Sequence, residues 1–189
     1  EEACEKLMYA LVLSGLAMQM TGNSRPASGA EHHLVHLWDM EVVNGHLDAL
    51  HGEKVSAGTM LVLLEYKKIA DAIRKGNCKV HTCTEEDREL LQSTFGKKGI
   101  LGAIEKENTP ELLDDVSTKE LSDTLPGILK IIDALPAVTD MQEMMNTAGC
   151  VSRVRDIGLP GEVIEESLRL APYTRRRLSL LRLRKMLTY

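Results

Sequence analysis

Apolar positions along the chain recur at spacings of three and four residues almost throughout, and strict alternation is nearly absent, so the pattern predicts helices. The opening segment, residues 2–20, reads EACEKLMYALVLSGLAMQM and is apolar on nearly every side. A helix of that kind is expected to be buried around most of its circumference. Gly22, Asn23 and Pro26 break it. Ser28, with Glu31 three residues on, matches a capping box and predicts a second helix starting at Ser28 and closing at Gly45.

A long apolar helix is expected from His51 to about Arg74, stopped by Lys75-Gly76-Asn77. Further helices are expected near residues 85–94, 110–116, 118–134 (bent at Pro126-Gly127) and 140–147. Residues 150–157 read as a connector, and a last pair of helices is expected near 162–170 and 174–187. There is no internal repeat. The expected fold class is all-α, with residues 1–189 as one helical domain.

Composition supports this. Aromatic residues are only 3%, so the core must be built from Leu, Ile, Val, Met and Ala, a mix that favours helix over strand. With 43% hydrophobic and 27% charged residues, the chain has the balance of a soluble globular domain. A net charge of −5 makes it a poor generic partner for nucleic acid. The four cysteines are scattered and lack the two close pairs of a structural zinc site, so they read as free cytosolic thiols and the chain as cytoplasmic. The apolar run that ends at Met20 is led by acidic residues, is followed by no cleavage site, and is too short to span a bilayer, so no stable membrane insertion is expected. A chain that opens inside a helical pattern reads as a piece of a longer protein.

Candidate chemistry begins with the histidines. His32, His33 and His36 crowd the first turns of the second helix. His32 and His36, four residues apart, share one face, while His33 points elsewhere. Two imidazoles on one helical face can hold a divalent metal, but solvated or capped histidines produce the same spacing, and the protease pattern HExxH is absent. His51 adds an imidazole at the start of the long helix, in His51-Gly52-Glu53-Lys54-Val55, where Gly52 is expected to let another element approach. Two histidines are half of a catalytic metal site, which takes about three protein ligands. No third ligand stands out: Glu31 is expected to cap the helix, and Asp39 and Glu41 lie further along. The helix start with Ser24, Arg25 and Ser28 could hold a phosphate; an ordinary cap beside a solvated arginine reads equally well. The basic stretch from Thr174 to Lys185 reads as an amphipathic helix packed on the core with a solvated arginine face, in preference to a membrane-surface helix.

Ser24-Arg25-Pro26-Ala27-Ser28-Gly29-Ala30-Glu31-His32, followed by His36, by His51-Gly52-Glu53-Lys54-Val55 and by Asp156-Ile157-Gly158-Leu159-Pro160, resembles the sn-glycerol-1-phosphate dehydrogenases. These group with the iron-containing alcohol dehydrogenases, glycerol dehydrogenase and dehydroquinate synthase. The resemblance implies the C-terminal helical domain of a two-domain parent whose N-terminal α/β domain, absent from this chain, holds NAD or NADP. It further implies that His32 and His51 ligate a divalent metal (zinc, iron or nickel) and that His36 lines the active cleft. The third ligand, an Asp, and the glycine-rich cofactor loop would precede Glu1, so no cofactor-binding residue is expected in this chain. The implied reaction is reduction of dihydroxyacetone phosphate, with a phosphorylated polyol as the small-molecule partner and a homodimer or larger oligomer as the assembly; the isolated chain is expected to be inactive. Glycerol dehydrogenase, a dehydroquinate-synthase-like cyclase and a non-catalytic helical module are the alternatives, and the SRPASG segment speaks against the cyclase.

Overall fold

The computed structural model describes residues 1–83 and 87–189. These form helices α1 (Glu2–Thr21), α2 (Ala30–Asp39), α3 (His51–Arg74), α4 (Arg88–Phe95), α5 (Leu101–Glu107), α6 (Thr118–Asp133), α7 (Val138–Thr147), α8 (Ile164–Leu170) and α9 (Leu180–Leu183). Short 3₁₀ turns lie between them, and two-residue strands β1 (Lys79–Val80) and β2 (Leu187–Thr188) pair antiparallel, Lys79 opposite Thr188. The all-α reading therefore holds.

Helix α3 is the spine. Its start at His51 is fixed by Glu53, whose carboxylate accepts the Leu50 amide at 2.7 Å and so satisfies a donor that the helix leaves open. Its end is fixed by Gly76, which adopts φ +70. Helix α2 lies against α3 and buries Leu34, Val35, Leu37 and Trp38, with the Trp38 indole donating to the Ser167 hydroxyl of α8 at 3.0 Å. The two helices approach closely at Gly58, where an added Cβ would stand 3.2 Å from the Glu31 carbonyl. Gly52, expected to make room for a neighbour, faces open space instead. In Asp156-Ile157-Gly158-Leu159-Pro160, Gly158 takes φ +80 and lets Ile157 and Leu159 both enter this core.

Several expected elements differ. Helix α1 forms with the expected length, but it buries no residue: Leu7, Met8, Leu11, Val12, Leu16 and Met20 all face solvent. Apolar content shows that a helix wants cover, whereas burial needs a packing partner, and the described residues offer only partial cover along Ser14, Ala17 and Met18. Helix α2 ends at Asp39 rather than at Gly45. Residues 110–116 form turns instead of a helix, while α5 was not foreseen. The predicted start of the fourth helix at residue 85 lies outside the described residues. The expected helix at 174–187 is broken into an extended segment, α9, a 3₁₀ turn and β2. Among its basic residues Arg182 is buried, at 1% exposed, and reaches Glu111 and Pro172 at 2.7 Å and the Asn108 side chain. Arg184 reaches Glu65 at 2.6 Å and Glu165 at 2.5 Å. The solvated arginine face is thus replaced by a set of buried ion pairs, which hold an irregular backbone where a regular helix would point these groups into water.

Candidate functional site

The capping arrangement at the start of α2 sets the site. Gly29, not Ser28, is the N-cap, and its amide donates to Glu31 Oε1 at 2.7 Å. An added Cβ at Gly29 would meet the Glu31 carboxylate at 2.7 Å, so glycine makes this return of the Glu31 side chain possible. The expected Ser28 cap is therefore corrected: Glu31 itself occupies the positive end of α2. The same Glu31 oxygen accepts the Nδ1 proton of His32 at 2.8 Å. Burial pushes the Glu31 carboxyl up, but the hydrogen bonds from His32 and the Gly29 amide outweigh it and hold it below its usual value.

With Nδ1 committed to Glu31, neutral His32 presents Nε2 as a lone pair. A carboxylate behind a histidine is the usual way to fix the tautomer and ring orientation of a metal ligand. The ring of His51, from the start of α3, stands 5.7 Å from that of His32, centre to centre, at an interplanar angle of 53°. Metal–nitrogen bonds of about 2.1 Å put each ring centre roughly 3 Å from the ion, so rings about 5–6 Å apart suit one shared ion. The spacing of the two rings is of the size that two ligands of one divalent ion would need. His51 is 59% exposed, with Asp39 Oδ2 4.0 Å from its Nδ1; that carboxylate is also paired with Lys54 at 2.7 Å. Among the described residues, no group of three or more His, Cys, Asp or Glu side chains is arranged to hold a metal.

His36 lies one turn beyond His32 and is half-buried. Burial first, and the charge of Arg175 second, push its imidazole below the usual value, so it is neutral near pH 7. His33, on the opposite side, is 1% exposed with both ring nitrogens unpartnered, and burial followed by the Arg177 charge depresses it to about 4. His46 is exposed against Glu41 at 2.8 Å and lies apart from the pair. His81 is partly exposed, with its Nδ1 2.9 Å from the Thr82 carbonyl.

Ser24 and Ser28 are brought together by one side chain: Arg177 donates to the Ser24 hydroxyl at 2.8 Å and to the Ser28 carbonyl at 2.9 Å. Arg25 is exposed in the preceding loop. Sequence reasoning missed Glu31 as the partner of His32, Glu53 as the cap of α3, Arg177 as a neighbour of the α2 start and Arg175 as a charge acting on His36. Glu53 could have been found, since it sits at the third position of its helix; the arginines could not, being far away in sequence.

No family model matches the chain, and no solved structure matches it. Curated proteins do. The chain is 33% identical, over 96% of its length, to a glycerol-1-phosphate dehydrogenase (NAD(P)+) of Halalkalibacterium halodurans, of which it covers 37%. It is 27% identical, over 90% of its length, to the protein of that name in Geobacillus stearothermophilus, of which it covers 35%. Over 39% of the chain it is 41% identical to that of Pyrococcus horikoshii, covering 22% of it. The resemblance read from the residues is thereby borne out: the chain is a homologue of the glycerol-1-phosphate dehydrogenases and corresponds to a helical domain of them. It spans little more than a third of the length of the first two relatives. No helix among the described residues is long and apolar enough to cross a membrane.

Proposed function

We propose that this chain is the metal-binding helical domain of an NAD(P)-dependent dehydrogenase that reduces dihydroxyacetone phosphate to sn-glycerol 1-phosphate. The observation that carries the reading is the convergence of His32 and His51 from two neighbouring helix starts, with Glu31 fixing the His32 ring. A divalent ion on these histidines supplies Lewis acidity toward a substrate carbonyl oxygen. His36, held neutral beside the pair, can hydrogen-bond a substrate oxygen and exchange a proton with it. Glu31 keeps His32 in one tautomer and in one orientation. The nicotinamide cofactor and the remaining ligand belong to the rest of the parent protein. The relatives' names favour a phosphorylated polyol over glycerol itself.

The test is metal content and turnover of the full-length protein. The expected result is stoichiometric divalent metal, NAD(P)H oxidation that depends on dihydroxyacetone phosphate, and loss of both in His51→Ala. A purified protein with full activity and no bound zinc, iron or nickel would overturn the reading.

A further inference from the structure

Helix α2 carries a carboxylate at each end, and each stands at Nδ1 of one histidine of the pair. In its first turn, Glu31 is closed on His32 at 2.8 Å. At its last residue, Asp39 Oδ2 faces Nδ1 of His51 at 4.0 Å. That approach is about 1 Å too long for a hydrogen bond, yet it is not a chance meeting of two loose surface groups. The other Asp39 oxygen, Oδ1, accepts from the Lys54 ammonium at 2.7 Å. Lys54 follows His51 by one turn of α3, so the two side chains leave the same face of that helix. The Lys54 side chain is only 13% exposed, and an ammonium drawn that far out of water needs its partner. Asp39 is thereby pinned from α3, with its second oxygen turned to the imidazole.

His51 is the movable member. Its side chain is 59% exposed, and a turn of such a ring about its side-chain bonds closes the remaining gap. Ligation through Nε2 requires the ring to hold one tautomer and one orientation, and a carboxylate on the Nδ1 proton fixes both. For His32 that bond is in place. For His51 it is one ring rotation away.

We propose that Asp39 is a positioning residue for His51: it accepts the Nδ1 proton of His51 when that imidazole ligates a divalent ion through Nε2, and Lys54 holds the carboxylate in place for it. The inference rests on the proposed metal-binding reading and deepens it, since each histidine ligand then has its own carboxylate from α2. Asp39 and Lys54 act through His51 and touch neither ion nor substrate.

The experiment uses the full-length protein with zinc as the probe. The zinc dissociation constant is read by competition with a chromophoric chelator, and metal-free stability by urea denaturation. Asp39→Asn should weaken zinc binding by about ten- to a hundredfold, the range for outer carboxylates behind metal-bound histidines. Asp39→Glu, which keeps a carboxylate, should recover part of that loss. Asp39→Asn also leaves the Lys54 ammonium without its charge partner, so the double variant Asp39→Asn/Lys54→Met separates positioning from packing. It removes both charges together. Its metal-free urea midpoint should match that of the unmodified protein, while its zinc binding stays weakened by about tenfold or more. A double variant that regains zinc affinity along with its urea midpoint would reduce Asp39 to a partner of Lys54 and overturn the inference. Zinc held by Asp39→Asn as tightly as by the unmodified protein would overturn it too, and in both cases the metal reading survives. Failure of the unmodified protein to bind zinc would overturn the reading on which the inference rests.

Discussion

Two polar regions meet the same helical core and treat their charges in opposite ways. In the C-terminal tail, Arg182, Arg184 and Lys185 are withdrawn from water and partnered. Lys185 lies 3.1 Å from Asp87 and hydrogen-bonds Tyr173; Arg169 closes on Asp87 from another side at 2.7 Å. At the histidine pair, His51 is exposed, and the His32 ring is bonded on one nitrogen only. A buried charge persists where partners compensate its desolvation; an accessible charge without a partner is free for a ligand. The contrast separates basic residues that hold the tail from imidazoles that keep a nitrogen open at the start of α2 and α3.

The largest effect should come from breaking the tail. Arg182→Ala removes a guanidinium bonded to Glu111, Asn108 and Pro172 and stacked 5.7 Å from the Tyr173 ring centre, and it leaves Asn108 and the Pro172 carbonyl with lost partners. Breaking one side of such a buried pair costs about 3–5 kcal/mol, to be measured by urea denaturation. A loss below about 1 kcal/mol would mean that burial, not pairing, holds this segment.

Acid should divide the two regions by pH. His33 is depressed to about 4, by burial first and by the Arg177 charge second. As pH falls from the unfolded value of about 6.5, the unfolded chain takes this proton first, so stability drains away between pH 6.5 and 4 by about 3 kcal/mol. Glu65 and Asp87 are carboxyls displaced in the same direction. Burial pushes both carboxyls up, but Tyr189 and Arg184 on Glu65, and Arg169 and Lys185 on Asp87, outweigh it and hold both below their usual values. Their contribution is present above their unfolded values, 4.5 for Glu65 and 3.8 for Asp87, and lost as pH falls through their folded values. His33→Leu should flatten the upper window in metal-free protein and leave the lower one in place, since both His33 nitrogens lack partners to lose. Denaturation at several pH values checks this; an unchanged upper slope in the variant would assign it to another group.

How far each region could be read in the sequence follows the range of the forces involved. Helix α3 was legible because its period and its Lys75-Gly76-Asn77 stop are local; its Glu53 cap is local too, but was not read. The spacing of His32, His36 and His51 was legible for the same reason. The tail was not: its leucines and arginines have a helical period, but the partners that straighten the backbone, Glu65, Asn108 and Glu111, are 71 to 119 residues away. Helix α1 failed in the other direction, because an apolar pattern says nothing about what covers it. The Ser28 cap was misplaced by one residue since Gly29 lets Glu31 fold back further than a serine cap requires.

The smallest effect on stability belongs to the residue on which the proposed metal site most depends. His51 is 59% exposed, its ring makes no contact closer than 4.0 Å with Asp39, and the cap of α3 is supplied by Glu53. His51→Ala should therefore change the stability of metal-free protein by no more than about 0.5 kcal/mol, as for other surface positions. With metal present, the unmodified protein should gain RT ln(1 + [L]/Kd) from binding to the folded state alone, and the variant should gain none. Thermal melts of both proteins with and without added zinc measure the two quantities together. A variant that loses stability without metal would show His51 to be part of the helix start, while an equal metal-induced shift in both proteins would move the ion away from the His32–His51 pair.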